Sequence, residues 1–389
     1  MITRIRDVLT LPPRLTARPR LARCLRRTGV IALVGGMAAT APPLVAQQLA
    51  SIDTTYEFND SHFHLTNYIQ RGPDLRAFLA IMGNRVGHAA LFGIPLQQEW
   101  SMRIDGSKGP TYYGSNGPSY YLHTDAPLYY YSFTDAQIAM AYKSLSPRDQ
   151  ARFDPMITGF NPADMYATDH IRRVLTIFPG VFSGIGEFTI HKEFVSAKVA
   201  GGVASLLDPA LDSILAFAGE AGLLVLIHND VDVPFAKPGA PPAYLEQMRE
   251  LIARHPATTI VWAHTGVGRV VRPVAGHLQM LASLLSDPKF SNLYFDISWE
   301  EVAKYIVASD TSIALTAALV ERFPDRFLFG TDVVAPTDPQ MYYRVFDIYK
   351  PFLDRLTPAA RAKLLRGNYE RLFGASRKRV RAWEAAHVR

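Results

Sequence analysis

Six residues with metal-ligand chemistry stand at the polar ends of apolar runs. They are His62 and His64 in DSHFHL, Glu187 in GIGEF, His228 in VLIHND, His264 in VWAHTG and Asp332 in LFGTD. Imidazole nitrogens and carboxylate oxygens together suit zinc, manganese or iron, with zinc the default for such a set. His62 and His64 are one residue apart, so on an extended strand both side chains point to the same side. A purely structural zinc site favours closed tetrahedral ligation, often by cysteine, whereas this set leaves room for water. Any single histidine at a strand end more often serves as a hydrogen-bonded core or surface residue. Five of eight candidate strands ending in ligand-type residues is the pattern that points to a site for one or two divalent transition-metal ions.

For these residues to meet, the chain must carry distant segments to one place. From residue 153 a unit recurs: an amphipathic stretch, a short breaker, then an apolar run with a polar end. HIRRVLTIFPGVFSGIGE (170–187), LDSILAFAGEAGLLVLIHND (211–230), YLEQMRELIARHPATTIVWAHTG (244–266) and LTAALVERFPDRFLFGTD (315–332) all follow it. Helical spacing feeding a short apolar strand predicts βα units around a parallel sheet, whose strands are apolar on both faces. The candidate strands are 57–65, 88–96, 152–160, 181–190, 223–230, 259–266, 293–300 and 327–334. Eight is the number that closes a (β/α)₈ TIM barrel, in which the C-terminal strand ends converge on one mouth. The pattern predicts a single barrel domain over 47–376, with 377–389 as a basic C-terminal tail. A long insertion after strand two, roughly 97–151, opens with Gly, Ser, Pro and Tyr, as in TYYGSNGPSYYL. It reads either as a lid or pocket wall, or as a plain packing insertion.

The ordered motifs DSHFH, GIGE, VLIHND, VWAHTG and LFGTD, followed by RGNYERLFG, resemble the amidohydrolase superfamily, in its amidohydrolase-related (amidohydrolase 2) branch of metal-dependent hydrolases. The resemblance runs from about residue 57 to 374. It implies that His62, His64, His228 and Asp332 are metal ligands, and that His264 binds a second metal or orients the reacting oxygen. Glu187 stands where many binuclear members carry a carboxylated lysine, and could bridge two metals directly; one metal or two stays open. A metal dication lowers the pKa of bound water from 15.7 towards about 7. Asp332 would take the water's proton and pass it to the leaving group, while the metal or a protonated His264 polarises the attacked carbonyl. That is hydrolysis of an ester, lactone or amide-type carbonyl. The same site on the same fold would also serve a non-hydrolytic decarboxylase of aromatic or unsaturated acids, and a barrel that binds metal without turnover is a third reading. Release of carbon dioxide separates the first two.

Other residues could touch substrate. Lys192, just past strand four, could bind an anionic group or be a solvated loop lysine. Arg269 and Arg272 follow His264 where the next helix is expected to begin; they could clamp a carboxylate or phosphate, or pair with nearby acids. Asp296, ending strand seven, could orient a ligand histidine or cap a turn.

Composition bounds the rest. Hydrophobic residues at 48% and charged residues at 20% fit a large folded core and exclude a disordered chain. The formal charge of +6 is misleading, because residues 1–46 hold eight arginines against one acid, Asp7. Without them the chain has 33 basic and 34 acidic residues, so the charge gives no reason to expect a nucleic-acid partner. That leader has the form of an export signal: a basic region, the apolar VIALVGGMAA, then PPLVA ending at Ala46. The apolar run is too short for a spanning helix, so no stable membrane anchor is expected after cleavage. Arg26-Arg27 before it suits the twin-arginine (Tat) route as well as Sec. The expectation is an exported, periplasmic enzyme acting on a small-molecule substrate, with a homo-oligomer left open. The only cysteine, Cys24, lies in the leader, which leaves the mature chain without disulfide or thiolate chemistry.

Overall fold

A computed structural model describes residues 56–67, 71–94, 98–100, 128–193, 195–197 and 204–388. The leader expected at 1–46 lies outside the described residues, as does TYYGSNGPSYYL (111–122).

Strands β1 (Phe58–His64), β2 (Val86–Phe92), β4 (Phe153–Ile157), β5 (Gly184–Lys192), β7 (Leu224–Asn229), β8 (Ile260–Trp262) and β9 (Leu293–Asp296) pair in chain order, all parallel. β3 (Gln98–Trp100) and β6 (Val195–Ala197) pair antiparallel, and β6 in turn runs antiparallel to the end of β5, forming a ribbon beside Lys192. The eighth barrel strand is split. Its first half, β10 (Phe327–Leu328), pairs with β9, and its second half, β11 (Val333–Val334), pairs with β1. Between the halves Ser61 donates its N–H to the Phe329 carbonyl at 3.1 Å, and Asp332 donates to the His62 carbonyl at 2.7 Å. The ring of eight therefore closes through the break, as a (β/α)₈ barrel.

Each strand is short and apolar because both faces are covered: every residue of β1, β4 and β7 is buried. The covering helices begin and end on local signals. In the helix Pro209–Ala221, Asp208 caps the Ala210 N–H, proline follows at the first turn, and Gly222 ends it at φ 80. Such a cap contributes about 1 kcal/mol. The face of Leu211, Ile214, Leu215 and Ala218 then turns inward onto the sheet.

Two expectations change. The stretch expected as a tail, 377–389, is helical up to His387: the helix Asn368–His387 runs into it and buries Val380 and Trp383. Upstream in the same helix, Tyr369, Leu372 and Phe373 pack against Ala90, Met156, Leu224 and Val261 of the strands, and Tyr369 donates to Asp154 at 2.8 Å. Asp154 stands near the start of β4, so the helix stoppers the N-terminal end of the barrel. The basic residues between its apolar ones dilute the signal that would show this in the sequence. Likewise, part of the stretch 97–151 is not lid-like, because Leu128–Lys143 is a helix placed between β2 and β4 as a regular crossover.

Candidate metal centre and active site

The opposite end of the barrel gathers the polar residues. β1 delivers His62 and His64 on one side of the strand, and Asp60 fastens β1 to the last strand. Asp60 Oδ1 accepts from the His62 and Thr331 N–H groups at 3.1 and 2.8 Å, while Oδ2 accepts from Thr331 Oγ1 at 2.6 Å and Tyr342 OH at 2.8 Å. Burial pushes the Asp60 carboxyl up to about 6, against the pull of those donors. Gly330 lets the two strands touch, since a Cβ there would lie 2.7 Å from His62 Cβ and 2.9 Å from its backbone nitrogen. Asp332 and His264 both sit in the left-handed region, at φ 54 and φ 56, where residues other than glycine pay roughly 1–2 kcal/mol. Neither strand could aim these side chains inward by simple continuation.

The result is a close cluster. Asp332 Oδ1 lies 3.0 Å from His64 Nε2 and 3.2 Å from His62 Nε2. Glu187 Oε2 lies 3.3 Å from His64 Nε2 and 3.7 Å from His62 Nε2. The other Glu187 oxygen, Oε1, faces His228 Nδ1 at 2.6 Å and His264 Nε2 at 3.5 Å. His264 Nε2 is also 3.9 Å from Asp332 Oδ2. All six predicted residues thus come together, Glu187 lying between the two histidine pairs.

Behind the cluster the imidazoles are held by their other nitrogens. His62 Nδ1 meets Asp296 Oδ2 at 2.9 Å, and His64 Nδ1 meets the Gly93 carbonyl at 3.3 Å. Asp296 therefore orients a histidine rather than merely capping a turn. Ser298 and Asp230, which sequence reasoning missed, complete this shell: Ser298 Oγ touches both His62 and His264, and Asp230 Oδ1 lies 3.3 Å from His228 Nε2. The only hint of them in the sequence is position, two residues beyond the strand-end residues His228 and Asp296.

Electrostatics fit a cation. Burial would raise both acids, but Lys192, His62 and His228 hold Glu187 well below the usual carboxylate range, and His62 and His64 do the same for Asp332. Burial would lower His62, yet Asp296, Asp332 and Glu187 hold it well above its ordinary value. His64 and His228 are raised against the same opposing burial, by Asp332 and Glu187 in the first case and chiefly by Glu187 in the second, where Lys192 also opposes. For His264 burial wins over Glu187 and Asp332, and its pKa is lowered. His62 Nε2 and His264 Nε2 are buried and make no hydrogen bond among the described residues, although they point at carboxylates. Two ionised acids facing imidazole nitrogens that lack hydrogen-bond partners form a donor set suited to a divalent ion.

The three basic candidates lie outside this cluster. Lys192 Nζ stands 5.1 Å over the Trp299 ring, and that ring is 5.1 Å from the His264 ring, so the ammonium lies beside the cluster, where its charge lowers Glu187. Arg269 Nε pairs with Glu301 at 3.2 Å, which is the ordinary ion-pair reading of that arginine. The helix expected to start at these arginines begins only at His277, because the chain turns through left-handed His264 and Thr265, at φ 56 and φ 54, and stays irregular to Gly276. Arg269 and Arg272 instead line a cavity of about 890 Å³ with Asp232, Phe235, Lys237 and Pro242, which none of the six cluster residues touches.

The sequence profile described as Amidohydrolase matches residues 149–375. The chain belongs to the amidohydrolase family. It is an enzyme of the amidohydrolase type; such enzymes use a divalent metal, and the cluster of His62, His64, Glu187 and Asp332 is this amidohydrolase's candidate place for one. No curated protein matches it. Solved structures similar to it include an amidohydrolase from Burkholderia multivorans with bound zinc, at 14% identity, covering 82% of this chain and 99% of that one, with a TM-score of 0.48. A TIM-barrel protein from Bordetella bronchiseptica matches at 17% identity, 82% and 99% coverage, TM-score 0.47. A dihydroorotase from Campylobacter jejuni matches at 14% identity, 82% and 83% coverage, TM-score 0.47.

Proposed function

We propose that this amidohydrolase hydrolyses an ester, lactone or amide-type carbonyl of a small molecule, with zinc as its ion. The observation that carries the reading is the convergence of Glu187 and Asp332, both held ionised, on the Nε2 atoms of His62 and His64. A divalent ion held there supplies Lewis acidity and makes hydroxide available near neutral pH. His62, His64, His228 and Asp332 would hold it, and Glu187, with one oxygen toward each histidine pair, would add a carboxylate to the same site. Asp332 takes the proton of the attacking water and hands it to the leaving group. His264 presents Nε2 to the acids while its Nδ1 is engaged by Ser298, an arrangement that suits a ligand to the second ion more than a donor to the carbonyl.

Metal analysis coupled to a substrate panel tests this. Purified protein should carry one or two transition-metal ions per chain, and the double variant His62→Ala/His64→Ala should carry none. The control His255→Ala, which loses only a pairing with Asp212 at the end of the helix Leu245–Arg254, should keep its metal. Equal loss in both variants would overturn the assigned ligands. Turnover of lactones, amides or aryl esters supports hydrolysis; carbon dioxide release from aromatic acids without such turnover would replace it by decarboxylation.

A further inference from the structure

His62 on barrel strand one and His264 on barrel strand six share a single hydroxyl group. Ser298 Oγ lies 3.1 Å from His62 Nδ1 and 3.0 Å from His264 Nδ1, and all three residues are fully buried. The same oxygen lies 2.5 Å from Asp296 Oδ1. A carboxylate only accepts, so the one serine proton goes to Asp296, leaving two lone pairs on Oγ. Two lone pairs facing two ring nitrogens require an N–H on each. Both imidazoles must then carry a proton on Nδ1, which leaves Nε2 as the nitrogen each can offer to an ion. Those are the two Nε2 atoms that point at Glu187 and Asp332 and make no hydrogen bond among the described residues.

The geometry points to Ser298 as the positioning residue that, through one hydroxyl, sets the tautomer of His264 and supports the one Asp296 imposes on His62, and so aims both Nε2 atoms at the metal site. The inference rests on the metal reading proposed above. Asp296 and the backbone hold the serine in place. Asp296 Oδ1 accepts from the His264 N–H at 2.9 Å and the Ser298 N–H at 3.1 Å, and Oδ2 holds His62 Nδ1. The grouping of His62, His264 and Asp296 could by itself pass for a metal site, but the Ser298 hydroxyl fills it. The ion is thereby confined to the Nε2 side.

The two histidines depend on Ser298 unequally. His62 keeps Asp296 at 2.9 Å if the hydroxyl is removed, whereas His264 keeps only longer contacts, the Ser298 carbonyl at 3.3 Å and Asp296 Oδ1 at 3.7 Å. Ser298→Ala should therefore weaken metal binding about 10- to 100-fold, the usual range for losing an outer partner of a ligand histidine. Chelator competition on the purified full-length protein, with zinc as the probe, measures it. Long-range proton–nitrogen spectra of histidine-labelled, metal-free protein give a second readout that a merely structural role would not move. In the wild type His264 should show the Nδ1–H tautomer; in Ser298→Ala it should shift to a mixture while His62 changes less. Zinc affinity within twofold of wild type, or an unaltered His264 tautomer, would overturn the inference. If the wild type binds no zinc, the metal reading fails, and the tautomer of His264 alone then decides for or against Ser298.

Discussion

Asp332→Asn separates a residue that moves a proton from one that only holds an ion. Asparagine keeps the shape and one carbonyl oxygen near His62 and His64, where Asp332 Oδ1 now lies at 3.2 and 3.0 Å. It loses the charge and the ability to take a proton. One of the two carboxylates facing His62 and His64 remains, since Glu187 Oε2 is 3.3 Å from His64, so metal content should fall only in part. General-base catalysis is worth about 10²–10⁴-fold. At about 1.4 kcal/mol per tenfold this corresponds to roughly 3–5 kcal/mol of barrier. The assay is turnover of the best lactone or aryl ester, divided by bound metal measured on the same sample, with and without added zinc. The expected result is a loss within that range which added zinc does not repair. A variant that reaches the wild-type rate at full occupancy would refute the proton-transfer role and return Asp332 to the status of a ligand.

Two further outcomes are expected. His277, buried at the start of its helix, has its pKa lowered by burial to about 4, from 6.5. Because the folded value is the lower one, the unfolded chain binds more protons between those limits, and stability is lost as pH falls through that window. Linkage places the loss from this residue at about 2 kcal/mol between pH 7 and pH 5. Urea unfolding of metal-free wild type and His277→Leu at both pH values should show the variant's stability falling less by about that amount; equal falls would count against a neutral buried imidazole. Separately, we propose that the mature chain is exported and begins near Gln47, after the small residue Ala46. N-terminal sequencing of periplasmic protein checks this, and an intact Met1 there would refute cleavage.

The barrel was legible because its signals are local. From β5 on each βα unit repeats within about forty residues, and strands buried on both faces need no partner in view to be recognised, so DSHFH, VLIHND and LFGTD could be set on strand ends directly. The six ligand-type residues followed, because parallel strands of one barrel all end at the same mouth. Other features depend on contacts between segments far apart in the chain. The split of the last strand at Phe329–Asp332, with Asp332 turned to a positive φ, is imposed by pairing with β1 at the other end of the sequence. Arg269 proved to pair with Glu301, an acid on the later helix Glu300–Ile306, and nothing in HTGVGRVVRP names it. Val380 and Trp383 looked like parts of a basic tail until the closed barrel supplied a surface for them. Ser298 is one serine in a sequence with many, and it acquires its role only because Asp296, His62 and His264 are brought within hydrogen-bond reach of one oxygen. Residue types and their period determined which atoms could bind a metal; which nitrogen of each ring faces it was decided by three-dimensional neighbours, since a hydrogen bond is a matter of distance and angle that composition does not carry.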